Sequence, residues 1–207
     1  MVIVCLDLEG VLIPEVWVEF AHRSGIDSLT RTTRDEPDYD NLMRFRLRTL
    51  AAHGMKLADI ERVIADMSPL PGAREFLDDL RRTYQVVILS DTFYEFARPL
   101  MSQLAWPTLF CHSLIVSADG AVTGYTLRMP DQKRAAVNAF KALNFDVIAA
   151  GDSYNDTAML GAADAGFLIH PPASIIAQFP QFPVMENYGE LRAAIDGAAQ
   201  NIAARRG

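Results

Sequence analysis

Apolar runs punctuate the chain, and each stops abruptly at polar residues. Val2-Ile3-Val4-Cys5-Leu6 ends in Asp7-Leu8-Glu9-Gly10-Val11, and Val86-Val87-Ile88-Leu89 ends in Ser90-Asp91-Thr92. Val147-Ile148-Ala149-Ala150 ends in Gly151-Asp152-Ser153, and Ala165-Gly166-Phe167-Leu168-Ile169 ends in His170-Pro171-Pro172, with Leu109-Phe110-Cys111 a weaker case. Runs that are apolar at every position fit strands covered on both faces, as in parallel sheets. Helical patterns over Gly72–Arg82, Phe93–Leu104, Lys133–Leu143 and Asn155–Ala162 alternate with them. This alternation predicts an α/β fold: a Rossmann-like parallel sheet with right-handed crossovers and helices on both faces.

Two segments break the rhythm. Ser113–Val116 and Val122–Leu127 flank Asp119-Gly120, a turn signal that predicts a small β-hairpin. Residues from about Pro14 to Pro69 read as helical without strand signals, and Pro69 and Pro71 mark the return to the core. The expected division is a core of residues 1–13 and 70–207 with an inserted helical cap over 14–69. The Arg205-Arg206 tail reads as a frayed terminus.

Composition narrows the function more than the fold. The chain has 207 residues, enough for one α/β core with an insertion, and half of them are apolar. A formal net charge of −7 argues against a nucleic-acid binder. No segment approaches the roughly 18 consecutive apolar residues of a membrane span. A strand starting at Val2 leaves no room ahead of it for a signal peptide. Cys5 and Cys111 lie in apolar stretches and read as core residues, so a disulfide framework is not expected and the cytoplasm is the expected location.

The polar residues at the strand ends carry the candidate chemistry, because open α/β sheets hold ligands there. Asp7 and Glu9 would be costly at the tip of a buried strand without positive charge nearby. Ser90 with Asp91 and Thr92 adds hydroxyls, Lys133 adds a cation at a helix start, and Gly151-Asp152-Ser153-Tyr154-Asn155-Asp156 adds more carboxylates. Together they offer a carboxylate nucleophile, a hydroxyl donor, a cation and oxygen ligands for Mg²⁺, the parts that phosphoryl transfer needs. Singly, each has a plainer reading: Ser153 or Asp152 as a helix cap, Lys133 as a solvated lysine, Ser90 as a strand-end hydroxyl.

These four motifs, in this order, resemble the haloacid-dehalogenase-like phosphatase superfamily, and the resemblance covers the entire chain. It implies that Asp7 attacks phosphorus and forms an aspartyl-phosphate, and that Glu9 protonates the leaving alcohol and then activates water. It further implies that Asp7, Asp152 and the Glu9 backbone carbonyl hold Mg²⁺, and that Ser90 and Lys133 bind the phosphoryl oxygens. Asn155 and Asp156 then support the phosphate and the metal, with Thr92 in a supporting place.

The cap bears on the substrate. Wound as a helix at about 100° per residue, Asp40–Leu50 gathers Leu42, Met43, Phe45, Leu47 and Leu50 on one face. Arg46 falls within that face, and Arg44 and Arg48 fall opposite. An arginine on an apolar stripe needs an anion, either an internal carboxylate or a substrate carboxylate. Glu15, at the start of the first cap helix, is favourable there for electrostatic reasons alone, and beside Arg46 it would also suit an ammonium group. The Glu15/Arg46 pair resembles the phosphoserine phosphatase family. Asp-Leu-Glu-Gly-Val at 7–11, Ser-Asp-Thr-Phe-Tyr-Glu-Phe at 90–96 and Gly-Asp-Ser-Tyr-Asn-Asp at 151–156 are similar to its bacterial branch, bifunctional toward phosphoserine hydrolysis and phosphoryl transfer to homoserine. Glu9 stands where Asp is usual, and Asp91-Thr92 replace a Gly-Gly pair. Phosphoserine and homoserine are therefore the expected small-molecule partners, with Asp91 among the substrate-binding residues. A phosphatase of another small metabolite and a non-catalytic phosphoamino-acid sensor are the rival readings. The histidines at 22, 53, 112 and 170 share no ligand spacing, so no zinc site is expected.

Overall fold

The computed structural model describes residues 1–32, 35–36 and 38–205. Its centre is a seven-stranded sheet in the order β4-β3-β2-β1-β5-β6-β7. The strands are β1 (Val2–Leu6), β2 (Gln85–Phe93), β3 (Thr108–Val116), β4 (Val122–Thr126), β5 (Asp146–Gly151), β6 (Ala165–Ile169) and β7 (Val184–Met185). All pairings are parallel except β3 with β4. The predicted α/β class holds, with β1 central between β2 and β5.

The continuous apolar runs are explained by helices on both faces. Val4, Leu6, Ile88, Ile148 and Ala150 pack with Phe76, Leu77 and Leu80 of α4 (Ala73–Thr83) and with Leu191, Ile195 and Ile202 of α9 (Tyr188–Ala204). The alternate residues Ile3, Cys5, Val87, Leu89, Val147 and Ala149 pack with Ala136 and Val137 of α6 (Gln132–Ala142), Met159 and Leu160 of α7 (Thr157–Ala162) and Ile175 of α8 (Ala173–Gln178). Side chains alternate across a strand, so two covered faces demand apolar residues at both parities. Cys5 and Cys111 are free and buried, as expected.

Between β1 and α4 run α1 (Val16–Ser24), a 3-10 turn at Asp27–Thr30, α2 (Tyr39–Ala52) and α3 (Leu57–Ala65). Helix α2 buries Leu42, Met43, Arg46 and Leu50 and leaves Arg44 and Arg48 exposed, the predicted amphipathic arrangement. Its N-terminus is capped by Asp38, which accepts from the Asn41 amide at 2.9 Å. The helical segment is stitched to the hairpin turn: Leu57 N donates to Gly120 O (2.9 Å) and Lys56 Nζ to Asp119 O (2.8 Å).

Several boundaries differ from expectation. Leu109–Cys111 and Ser113–Val116 are one strand, β3, parallel to β2 in its first half and antiparallel to β4 in its second. Strand β2 continues through Ser90-Asp91-Thr92 to Phe93 with an irregularity in its pairing, so α5 (Tyr94–Gln103) starts one residue late. The predicted helix from Asn155 divides into a 3-10 turn (Tyr154–Asp156) and α7. Helix α8, strand β7 and helix α9 follow β6 without having been read from the sequence. Arg206 of the predicted frayed tail lies outside the described residues. Among the described residues no helix is long and apolar enough to cross a membrane.

Candidate active site

The C-terminal ends of β1, β2 and β5 bring the four polar constellations together. Asp7 N donates to Ala150 O at 2.9 Å, extending the β1–β5 ladder by one residue and setting Asp7 beside Gly151-Asp152. The chain then turns tightly, with the amides of Leu12 and Ile13 donating to Leu8 O and that of Gly10 to Ile13 O. Gly10 has φ +75°, and a Cβ there would lie 2.5 Å from Asp152 Oδ2. A Cβ on Gly151 would run into the Asp156 carboxylate. Only glycine at these two positions lets the carboxylates come this close.

Asp156 organises the floor. Its Oδ2 accepts from the amides of Asp152 (3.0 Å) and Ser153 (3.1 Å), and its Oδ1 accepts from Lys133 Nζ at 2.7 Å. Lys133 Nζ also stands 2.8 Å from Asp7 Oδ1, a buried ion pair. Burial opposes charge on Lys133, but Asp156, Asp7 and Asp91 more than offset it and raise its pKa well above the ordinary value. Burial and the Asp156 charge raise Asp7 well above the usual carboxylate range, against the pull of Lys133. Asp152 is pushed up to about 7 by burial, then by Asp156 and Glu15, and makes no ion pair among the described residues.

Asp7, Asp152 and Asp156 each place a carboxylate oxygen within 4.8 Å of the others. An oxygen-only donor set in which buried carboxylates crowd together and Asp152 makes no ion pair among the described residues fits a hard divalent cation such as Mg²⁺. Asp156 already spends both oxygens on the protein, which leaves Asp152 and the second oxygen of Asp7 open to such a cation.

Glu9 lies to one side. Its Oε2 accepts from the Val16 amide at the start of α1 (3.1 Å), and the Thr92 side chain also bonds it. Burial, followed by the charge of Glu15, pushes Glu9 up to about 8. Glu15 is exposed and makes no capping hydrogen bond; its charge acts on Glu9, Asp152 and Arg46.

Arg46 is 7% exposed. Its guanidinium lies 4.5 Å over the Trp17 ring, Nη2 donates to Arg31 O at 2.8 Å, and Nε has no hydrogen-bond partner. Burial lowers its pKa to about 10, with Glu9, Tyr39 and Glu15 opposing. No carboxylate lies within ion-pair distance of Arg46 among the described residues, which removes the internal salt-bridge reading.

Ser90 is buried, and its hydroxyl accepts weakly from the Thr92 amide (3.3 Å). Asp91 is half-buried, and protein groups hold its carboxylate: Asn155 Nδ2 at 2.9 Å, Gln132 Nε2 at 3.1 Å, His112 Nε2 at 3.5 Å and Lys133 Nζ at 3.8 Å. Burial alone would raise its pKa, but Lys133 and these donors hold it well below the usual carboxylate range. Gln132 also donates to Ser90 O, and the Tyr39 hydroxyl of α2 donates to Asp91 O at 3.4 Å. Gln132, His112, Tyr39 and Trp17 were not singled out from the sequence. For Gln132 the signal was adjacency to Lys133, and for His112 a histidine inside an otherwise apolar strand.

The model of the haloacid dehalogenase-like hydrolases matches residues 1–164. A phosphoserine phosphatase of Pseudomonas syringae pv. tomato is 60% identical over 190 residues, 92% of this chain and 80% of that one. Phosphoserine phosphatase ThrH of Pseudomonas aeruginosa is 59% identical over 192 residues, 93% of this chain and 94% of that one. A solved phospho-aspartyl intermediate analogue of phosphoserine phosphatase superposes with a TM-score of 0.75 at 20% identity, covering 94% of this chain and 97% of that one. At that identity the likeness is one of fold.

Proposed function

The chain belongs to the haloacid dehalogenase-like hydrolase family, and on that premise we propose that it is a Mg²⁺-dependent phosphoserine phosphatase working through an aspartyl-phosphate on Asp7. In this reading residues 14–69 form a cap that chooses the substrate, and residues 1–13 and 70–207 form the core that reacts.

Asp7 and Asp152, with the Glu9 carbonyl, would hold Mg²⁺, which when bound neutralises phosphoryl oxygens. A carboxylate oxygen of Asp7 attacks phosphorus while the bond from phosphorus to the serine oxygen breaks. Glu9, protonated at neutral pH, gives its proton to that oxygen, and serine leaves. Lys133 and Ser90 hold the phosphoryl oxygens, with Asn155 beside them. Glu9, now a carboxylate, takes a proton from water as it attacks the acyl phosphate, releasing phosphate and restoring Asp7.

The observation that carries the substrate is Arg46: a buried guanidinium with no carboxylate partner and an unpaired Nε. A substrate carboxylate supplies the missing anion, and Glu15, whose charge reaches the same arginine, suits the ammonium. The names of the two Pseudomonas relatives support the same choice. Homoserine presents the same amino and carboxyl groups, and we read it as an alternative acceptor in place of water. The two reduced, buried cysteines accord with a cytoplasmic location.

Kinetics of R46A test the reading. The variant should raise KM for phosphoserine about 10- to 100-fold, the worth of a charge-assisted contact, and leave p-nitrophenyl phosphate turnover unchanged. Equal losses on both substrates, or no preference of the wild type for phosphoserine over other metabolite phosphates, would overturn the amino-acid reading. Phosphate release without phosphohomoserine in the presence of homoserine would remove the transfer half alone.

A further inference from the structure

A carboxylate beside a phosphate site competes with the phosphate unless something restrains it, and Asp91 stands 3.8 Å from Lys133 Nζ. The ammonium has three N–H donors. Asp156 at 2.7 Å and Asp7 at 2.8 Å face two of them. The third is the donor that a transferring phosphoryl oxygen requires, and Asp91 is the neighbouring group able to take it.

Asp91 is drawn away from that position. Gln132 Nε2 (3.1 Å) and His112 Nε2 (3.5 Å) converge on Oδ1, and Asn155 Nδ2 (2.9 Å) holds Oδ2. His112 is itself fixed from behind: its Nδ1 accepts from the Arg128 amide at 3.1 Å. A ring nitrogen that accepts carries no proton, so the proton of the neutral ring sits on Nε2, facing Asp91. The ring is 4% exposed and packs against Phe93. A buried imidazole with both nitrogens committed, one to the backbone and one to a carboxylate of the site, is an ordered device rather than filler.

We infer that His112 is a positioning residue for phosphoryl transfer: together with Gln132 it holds the Asp91 carboxylate off Lys133, keeping an ammonium N–H free for the phosphoryl group. Neither side chain touches the reacting atoms; His112 acts through Asp91, and Gln132 through Asp91 and the Ser90 carbonyl it also bonds. The inference rests on Lys133 as the phosphoryl-binding cation, not on phosphoserine as the substrate.

A double-mutant cycle of His112 and Asp91, assayed with p-nitrophenyl phosphate, tests it. In H112A the freed Asp91 closes on Lys133, and kcat/KM should fall about tenfold. H112Q keeps an N–H donor near the Nε2 position and should stay within about threefold of wild type. In a D91N background no charge remains to restrain, so H112A should cost less than about twofold there. Thermal melting of each variant accompanies the kinetics, and H112N, whose amide reaches only toward the Nδ1 position, replaces H112A if that variant does not fold. Equal losses in both backgrounds, or wild-type activity in H112A, would overturn the inference. Because p-nitrophenyl phosphate bypasses Glu15 and Arg46, failure of the phosphoserine reading would leave this cycle intact.

Discussion

Burial pushes the Glu9 carboxyl up to about 8, and Glu15 adds to the shift against the hydrogen bonds from Thr92 and Val16. The group therefore holds a proton at neutral pH and loses it as pH rises through that value. Donation to the leaving oxygen should fail on the alkaline side, so kcat for phosphoserine should decline above pH of about 8. E9Q cannot titrate: kcat should drop by at least about 100-fold and lose that alkaline limb. Retention of the limb in E9Q would assign it to another group. At this scale the sequence pointed to Asp7 and Asp152 because each follows an apolar run, and to Lys133 because it opens a helix in the order of the motifs. It was less legible where a partner came from a distant strand: His112 has no ligand spacing, and its meaning appears only when β3 sets it against Asp91 on β2. Periodicity placed Arg46 on the buried face of α2, but only the three-dimensional neighbourhood could tell whether the protein itself supplied its anion.

The strand ends work as a unit because Gly10, in the turn after β1, and Gly151, the last residue of β5, carry no side chain. Gly10 at φ +75° sits against Asp152, and Gly151 against Asp156, so the β1 and β5 loops hold the acidic cluster together. G10A would place a methyl group 2.5 Å from Asp152 Oδ2 in a left-handed conformation. The backbone penalty is about 1–2 kcal/mol, a modest loss of stability. The larger effect should be on the metal, with half-saturating Mg²⁺ rising about tenfold or more as Asp152 is displaced. A variant that melts lower but binds Mg²⁺ as wild type would place the Asp152 position under other control. Helix and strand types followed from periodicity, whereas boundaries shifted wherever tertiary pairing outlasted the apolar run. Strand β2 carries its extension through Ser90-Asp91-Thr92, and β3 changes partner midway, from parallel with β2 to antiparallel with β4. Helix α9 escaped notice because its buried stripe, Leu191, Ile195 and Ile202, is thin and set among alanines.

In the proposed reading of the whole molecule, the selecting cap of residues 14–69 meets the reacting core along the hairpin and the strand ends, among other contacts. Lys56 and Leu57 bond the hairpin turn, Tyr39 reaches the Asp91 carbonyl, and Tyr125 of the hairpin bonds Asp40 at the start of α2. Phosphorylated Asp7 would thus be covered from the side that carries Arg46 and Glu15, with the acceptor alcohol or water entering where the leaving serine departs. The claim on which the rest depends is that phosphoserine transfers its phosphoryl group to Asp7. Mixing the protein with Mg²⁺ and phosphoserine, quenching in acid within a turnover and mapping the peptides by mass spectrometry tests it directly. The predicted result is one base-labile phosphoryl group on Asp7, absent from D7N. Release of phosphate with Asp7 never modified, or with the phosphoryl group on a different residue, would contradict the account.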